Sequence, residues 1–253
     1  MILDLFKLDG KVAIVTGANT GLGQGISVGL AEAGADIVGV GRSDMSETKK
    51  MVEAAGKKFL PISADLMTLE AIDRIVEESV KEYGHIDILV NNAGIIRRTK
   101  AIDYSEKDWD DVMNTNLKTL FFLSQAVARQ FIKQGNGGKV INIASLLSYQ
   151  GGIIVPAYTS SKSGVMGLTR ALANEWITDN INVNAIAPGY MVTNNTKALR
   201  ADEDRSTSIL ARIPAGRWGT PSDIEGAAVF LASDASSYVN GFTLAVDGGW
   251  LGR

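Results

Sequence analysis

The sequence predicts one doubly wound α/β domain, a predominantly parallel seven-stranded sheet with helices on both faces. Three observations predict it. Short apolar, β-rich runs alternate with amphipathic helical stretches at βαβ spacing along all 253 residues. No linker or internal repeat breaks the alternation, so residues 1–253 read as a single domain. The first apolar run also opens directly into a glycine-rich turn that leads into a helix.

That first strand is Lys11 to Thr16 (KVAIVT), followed by GANTGLGQG. Gly17, Gly21 and Gly23, with Asn19, Thr20 and Leu22 between them, allow a tight turn, a close approach of backbone to a pyrophosphate, and close contact between helix and sheet. The helix starting near Gly21 would aim its N-terminal N–H groups and positive dipole end at the phosphates. A second strand, Asp36 to Val40, ends at Gly41-Arg42, where an adenosine ribose should lie. An acidic residue there accepts from ribose hydroxyls in NAD sites, whereas an arginine suits a 2′-phosphate or simply a solvated loop. Here Arg42 is present and the acid is not. A helix over Met45 to Ala55 and the strand FLPISADL follow, the latter presenting Asp65 and Leu66 as further cofactor candidates.

The helix Leu69 to Tyr83 carries an apolar stripe of Ile72, Ile75, Val76 and Val80. The strand Ile86 to Val90 then runs into Asn91-Asn92-Ala93-Gly94, a tight turn suited to bracing the sheet, to admitting adenine, or to both. Ser105 to Gln134 reads as one capped, continuous helix containing Asn116, an unfavourable interior residue. NGGKVINIAS supplies a turn and the fifth strand, ending at Ser145. A helix after Pro156, the strand INVNAIAPG with Pro188-Gly189, an irregular stretch Tyr190 to Gly219, a helix from Pro221 and the strand FTLAVDGG complete the chain. Irregular stretches of that length in a compact domain are often lids over a substrate, placed here at about 190–219.

The chemistry falls on Ser145 to Lys162. Tyr158 and Lys162 are four residues apart, so on a helix they share one face, either as a plain surface pair or as a working one. A phenol titrates near 10, and a neighbouring ammonium favours phenolate, bringing acid/base work at neutral pH within reach. The Ser145 hydroxyl would share the substrate oxygen with the phenol.

Composition prunes the alternatives. The formal net charge is -3 and no dense Lys/Arg block occurs, which argues against a nucleic-acid partner. With no cysteine there is no disulfide, thiolate metal site or cysteine nucleophile, which fits a reducing compartment. No apolar run approaches the roughly 20 residues of a membrane span, and the N-terminus has no cleavable pattern. The expectation is a soluble, cytoplasmic protein without a membrane partner. The single histidine, His85, falls at the amino end of its strand, away from the edge where open α/β sheets bind ligands; neither a Ser-His-Asp hydrolase nor a metal site is expected.

Thr16-Gly17 with Gly21 and Gly23, Asn91-Asn92-Ala93-Gly94, Asn116, Ser145, Tyr158 with Lys162, and Pro188-Gly189 together resemble the motif set of the short-chain dehydrogenase/reductase family, in order and spacing over essentially the whole chain. The resemblance implies a Rossmann fold and hydride transfer between a nicotinamide cofactor and a carbonyl or alcohol. It implies Tyr158 as general acid/base, Lys162 lowering its pKa and holding the nicotinamide ribose, Ser145 orienting the substrate oxygen, Asn116 helping to hold a water next to Lys162, and Thr193 contacting the carboxamide. IDILVNNAGIIRR, SEKDWDDVMNTN, QGNGGKVINIAS, YTSSKSGVMGLTR, INVNAIAPGYMVTNNT and IPAGRWGTPSD look like the branch acting on keto and hydroxy sugar acids in uronate catabolism. That likeness implies NAD(H), with NADP(H) left open by Gly41-Arg42, and a homotetramer.

An anionic sugar also suits Arg97-Arg98, since a guanidinium binds a carboxylate in a fork; the other arginine would face water or another subunit. Gln150, Tyr190, Asn195 and Trp218 are further substrate candidates in the loops after the fifth and sixth strands. Competing readings are a ketoacyl-thioester or polyol reductase of the same chemistry, and a dinucleotide-binding module without turnover.

Overall fold

The computed structural model describes residues 1–253. Seven strands form one sheet in the order β3-β2-β1-β4-β5-β6-β7: β1 (Val12–Thr16), β2 (Asp36–Gly41), β3 (Phe59–Ser63), β4 (Ile88–Asn91), β5 (Gly138–Ile143), β6 (Ile181–Pro188) and β7 (Thr243–Val246). Every pairing is parallel, so the sheet is wholly and not just predominantly parallel. Buried on both faces, β1 reads as a near-continuous apolar run, and β6 is buried along its whole length although Asn182 and Asn184 interrupt its apolar residues.

Alternation along each strand sends successive side chains to opposite layers. Ala13, Val15 and Ile37 join a core with Ile26 and Leu30 of α1 (Gly21–Glu32) and Ile224, Ala228 and Leu231 of α9 (Ser222–Ala232). Val12, Ile14, Val38 and Val40 point the other way. They pack with Ile72 and Ile75 of α3 (Ile72–Tyr83), Leu123, Val127 and Phe131 of α5 (Thr119–Gln134) and Leu172 of α6 (Pro156–Trp176). α2 (Ser46–Ala54) flanks α1.

Two expectations are corrected. The helix predicted over Ser105 to Gln134 is broken into α4 (Glu106–Met113), a π-helical turn Asn114–Lys118, and α5. The cause is Asn116, whose buried side chain turns away to hydrogen-bond the backbone at Ile95 on the neighbouring loop. The stretch expected to be irregular carries α7 (Lys197–Ala201) and α8 (Glu203–Arg212). Asp202 starts α8 by accepting a hydrogen bond from the Arg205 N–H at 3.0 Å, with Glu203 and Asp204 in the first turn. That segment is closed at its base: Met191 and Gly219 form a parallel bridge, and Val192 N donates to Gly219 O at 2.7 Å.

A buried polar chain fixes α5 and α6 on β4 and β5. Asn91 Nδ2 donates to Ser124 Oγ at 2.9 Å and to Asn142 Oδ1 at 3.0 Å, and Asn142 Nδ2 donates to Thr169 Oγ1 at 3.0 Å. All four residues are buried, so each bond lost strands a polar atom without water. Asn142→Ala should therefore lower unfolding stability by roughly 2–4 kcal/mol in urea titration; a loss under about 0.5 kcal/mol, the size of an ordinary surface change, would mean the chain does not hold the helices.

Candidate active site

Because every strand is parallel, all seven carboxyl ends share one edge, and the loops leaving them build the site. At the end of β1, Gly17 turns with φ +67° and the chain enters α1 at Gly21. A Cβ on Gly23 would lie 2.1 Å from Gly17 O, so this glycine is demanded by the packing of α1 on the turn. Asn92 braces the same turn, donating from Nδ2 to Thr16 O at 2.8 Å, while the Thr16 hydroxyl accepts from the backbone of Asn92 and Ala93. Asn91 faces the core.

Two adjoining clefts follow this edge. One, of about 260 Å³, is lined by Gly17, Asn19, Thr20, Gly21, Leu22, Asn92, Ala93, Gly94, Ser145, Tyr158, Lys162, Pro188, Gly189 and Thr193. A side lobe sharing Gly17, Asn19, Ala93 and Gly94 reaches Arg42, Asp65 and Leu66. Its shape suits an extended dinucleotide, phosphates over the α1 N-terminus and the adenosine end toward β2 and β3. Of the expected cofactor contacts, only Gly23 lies off the lining, because its space is filled by the turn itself. Arg42 Nη1 stands 3.8 Å from Asp65 Oδ2, a rim pair open to water.

The second cleft, of about 550 Å³, shares Ser145, Tyr158, Pro188, Gly189 and Asn195 with the first. Arg98, Tyr190 and Asn195 line it. Arg97, Gln150 and Trp218 do not. Arg97 turns outward to Asp108 at 3.4 Å and Asp111 at 3.7 Å. Gln150 accepts from the Trp250 indole, and Trp218 packs edge-on against Tyr190. Sequence reasoning missed Leu146, Ile154, Asp202 and Arg205 on this wall. The Asp202 cap, an acid followed by acids in a first turn, was the legible signal for the last two. Ile154 gave none: it adopts φ +60°, a strained conformation for a β-branched residue, and its carbonyl accepts from Thr99 N at 2.9 Å, beside Arg98.

At the junction of the clefts, Pro156 opens α6 and places Tyr158 in its first turn, partly exposed to the cleft. Lys162, one turn on and almost fully buried, donates from Nζ to Ile143 O at 2.5 Å and lies 5.7 Å from the Tyr158 ring centroid. Burial pulls its ammonium down to about 8. Burial also raises the Tyr158 phenol, against the downward pull of the Ser145 hydroxyl and the Arg98 guanidinium. The Lys162 ammonium donates to Ile143 O and makes no hydrogen bond to the phenol, so its influence there is that of a nearby charge. The Asn116 side chain is likewise committed, with Oδ1 accepting from Ile95 N at 2.8 Å and Nδ2 donating to Ile95 O and Ser161 Oγ; it fixes the loop beside Lys162. His85 sits at the opposite, amino edge, near Gly10 and Asp87.

A buried lysine that must fold charged is a cost. Its folded pKa of about 8 lies below the ordinary 10.5, so the folded state is penalised at pH 7, and the penalty fades as pH rises from about 8 toward 10.5. The full shift corresponds to up to about 3 kcal/mol, partly offset by the bond to Ile143 O. Lys162→Met should therefore melt several degrees higher than wild type at pH 7, with the gap closing toward pH 10. A variant melting lower at pH 7, or a gap independent of pH, would contradict a desolvated ammonium.

Residues 17–251 match a family model described as enoyl-(acyl carrier protein) reductase. The chain is 66% identical over its whole length, and the whole of the relative, to the 2-dehydro-3-deoxy-D-gluconate 5-dehydrogenase of Escherichia coli (strain K12). It is 58% identical to the Bacillus subtilis (strain 168) protein of that name, covering 99% of this chain and 98% of the relative. A solved putative 2-deoxy-D-gluconate 3-dehydrogenase from Agrobacterium tumefaciens, with bound NADP, superposes with a TM-score of 0.94 at 56% identity, over 99% of this chain and 100% of that one. With the Rossmann sheet, the glycine turn and the Ser145, Tyr158 and Lys162 cluster in place, the chain belongs to the short-chain dehydrogenase/reductase family of dinucleotide-dependent oxidoreductases.

Proposed function

We propose that this enzyme interconverts 2-dehydro-3-deoxy-D-gluconate and its 2,5-dioxo counterpart, and that Tyr158 is its general acid/base. The supporting observation is that Ser145 and Tyr158 line both clefts at once, the only place where a cofactor ring and a substrate carbon could meet their hydroxyls together. The nicotinamide dinucleotide, when bound, supplies or accepts the hydride. Tyr158 gives its proton to the carbonyl oxygen in reduction and takes the alcohol proton in oxidation, while Ser145 holds that oxygen by a hydrogen bond. Lys162, held at Ile143 O, presents positive charge beneath the phenol and beside the ribose position; the α6 N-terminus adds its own positive end. Asn116 and the π-helical turn position Gly94 and Ile95 next to it. Arg98 anchors the sugar carboxylate, with Tyr190 and Asn195 alongside, and residues 190–219 act as the lid.

NAD(H) is the proposed physiological cofactor, since Asp65 beside Arg42 adds a negative charge at the ribose rim; Arg42 still leaves room for a 2′-phosphate. Uronate catabolism, a cytoplasmic setting and a homotetramer belong to the same proposal and rest on the family resemblance. No helix is long and apolar enough to cross a membrane. A second reading, reduction of a ketoacyl thioester, draws on the apolar wall of Leu146, Leu147, Ile153 and Val155; Arg98 and Arg205 in that cleft favour an acid over an acyl chain.

Tyr158→Phe should cut kcat by about 100-fold or more, the scale of losing an acid/base, while cofactor binding by fluorescence is unchanged. Activity within tenfold of wild type would remove Tyr158 from the role. Wild-type turnover of a ketoacyl thioester and none of the dioxo sugar acid would replace the proposed substrate.

A further inference from the structure

We infer that Arg205, in the first turn of α8, is the moving half of a clamp on the substrate carboxylate, with Arg98 as its fixed half. This deepens, and rests on, the sugar-acid function proposed above.

The charged side chains lining the substrate cleft are Arg98, Asp202 and Arg205, so its wall carries two positive charges and one negative, a net +1 matched to a monoanionic substrate. Asp202 is engaged in capping α8. That leaves two guanidiniums, each a planar fork able to take a carboxylate through two N–H bonds.

The two differ in how they are held. Arg98 Nη2 donates to Asn195 O at 2.9 Å, and the next residue, Thr99, is tied to the strained Ile154 carbonyl. Arg205 has only its backbone engaged: its guanidinium makes no hydrogen bond or ion pair within the chain, although the side chain borders the same cavity as Tyr158. The helix that carries it has a firm base. Ile209 and Ile213 are buried with Leu146 and Trp250, and the Met191–Gly219 bridge joins the two ends of the segment. The first turn of α8 therefore projects from an anchored base over the cleft mouth, where a rocking of α8 about Ile209 brings Arg205 onto a carboxylate already held by Arg98. The unpaired guanidinium bordering the cleft is accounted for by an anion that Arg98 and Arg205 share.

The test compares 2-dehydro-3-deoxy-D-gluconate with its uncharged carboxamide as substrates for wild type, Arg205→Gln and Arg205→Lys, with cofactor binding followed by fluorescence as a check that the fold and dinucleotide cleft are intact. In Arg205→Gln, KM for the acid should rise about 10–100-fold, the scale of a lost charge-assisted bond, with kcat within about threefold. KM for the amide should not move, and Arg205→Lys should recover part of the loss. If Arg205→Gln keeps the wild-type preference for acid over amide, the clamp is wrong and the sugar-acid function stands. If wild type itself shows no preference, or uses neither compound, the sugar-acid function falls and the clamp with it.

Discussion

A lysine with almost no access to water, held by the carbonyl that ends β5, is the constraint on which the site depends. Lys162 cannot be solvated where it sits, so its Nζ must find an acceptor, and the one it finds is Ile143 O. That bond sets the rotation and height of α6 on the sheet. Once it is set, Tyr158 one turn earlier necessarily faces the cleft, at the helix end whose unpaired N–H groups carry partial positive charge. The arrangement works against stability, since a buried ammonium is penalised, and it is retained where chemistry requires it. The chain Asn91, Ser124, Asn142 and Thr169 opposes the penalty by locking α5 and α6 to β4 and β5.

The all-parallel sheet then does the rest by topology. Its carboxyl edge collects the glycine turn after β1, Asn92 to Gly94 after β4, Ser145 after β5 and Pro188-Gly189 after β6 into one line. The dinucleotide cleft runs along that line, and the second cleft, of about 550 Å³, crosses its end. A segment between β6 and α9, closed at its base and carrying α7 and α8, covers the crossing. The bidentate pair of Arg217 with Asp223, at 2.7 and 2.8 Å, fixes the far end of that segment at the start of α9.

Much of this was legible in the sequence. Strand alternation, the glycine turn and the Tyr158–Lys162 spacing are local patterns, and local patterns survive folding. What was not legible came from contacts between distant residues. Asn116 breaks its helix because Ile95 lies beside it in space, which no window around residue 116 reveals. Gly23 was expected both near the phosphates and in close packing of the helix; the 2.1 Å approach that a Cβ there would make to Gly17 O gives it the packing role. Arg97 and Arg98 are indistinguishable as neighbours in sequence; Asp108 and Asp111 decide which one turns outward. Spacing along a helix gives the face that Tyr158 and Lys162 share, not the acceptor at Ile143 O that the Lys162 end group reaches. The start of α8 was readable from the Asp202 cap and the acids that follow it.

The state of the Lys162 ammonium tests this account most directly. Titration of 15N-labelled lysine side chains by NMR, with the Lys162 resonance assigned by its loss on substitution, should give one ammonium with a pKa of about 8. A Lys162 resonance that titrates above 10, like a lysine in water, would mean that the group is solvated and that the register of α6 is set by something else.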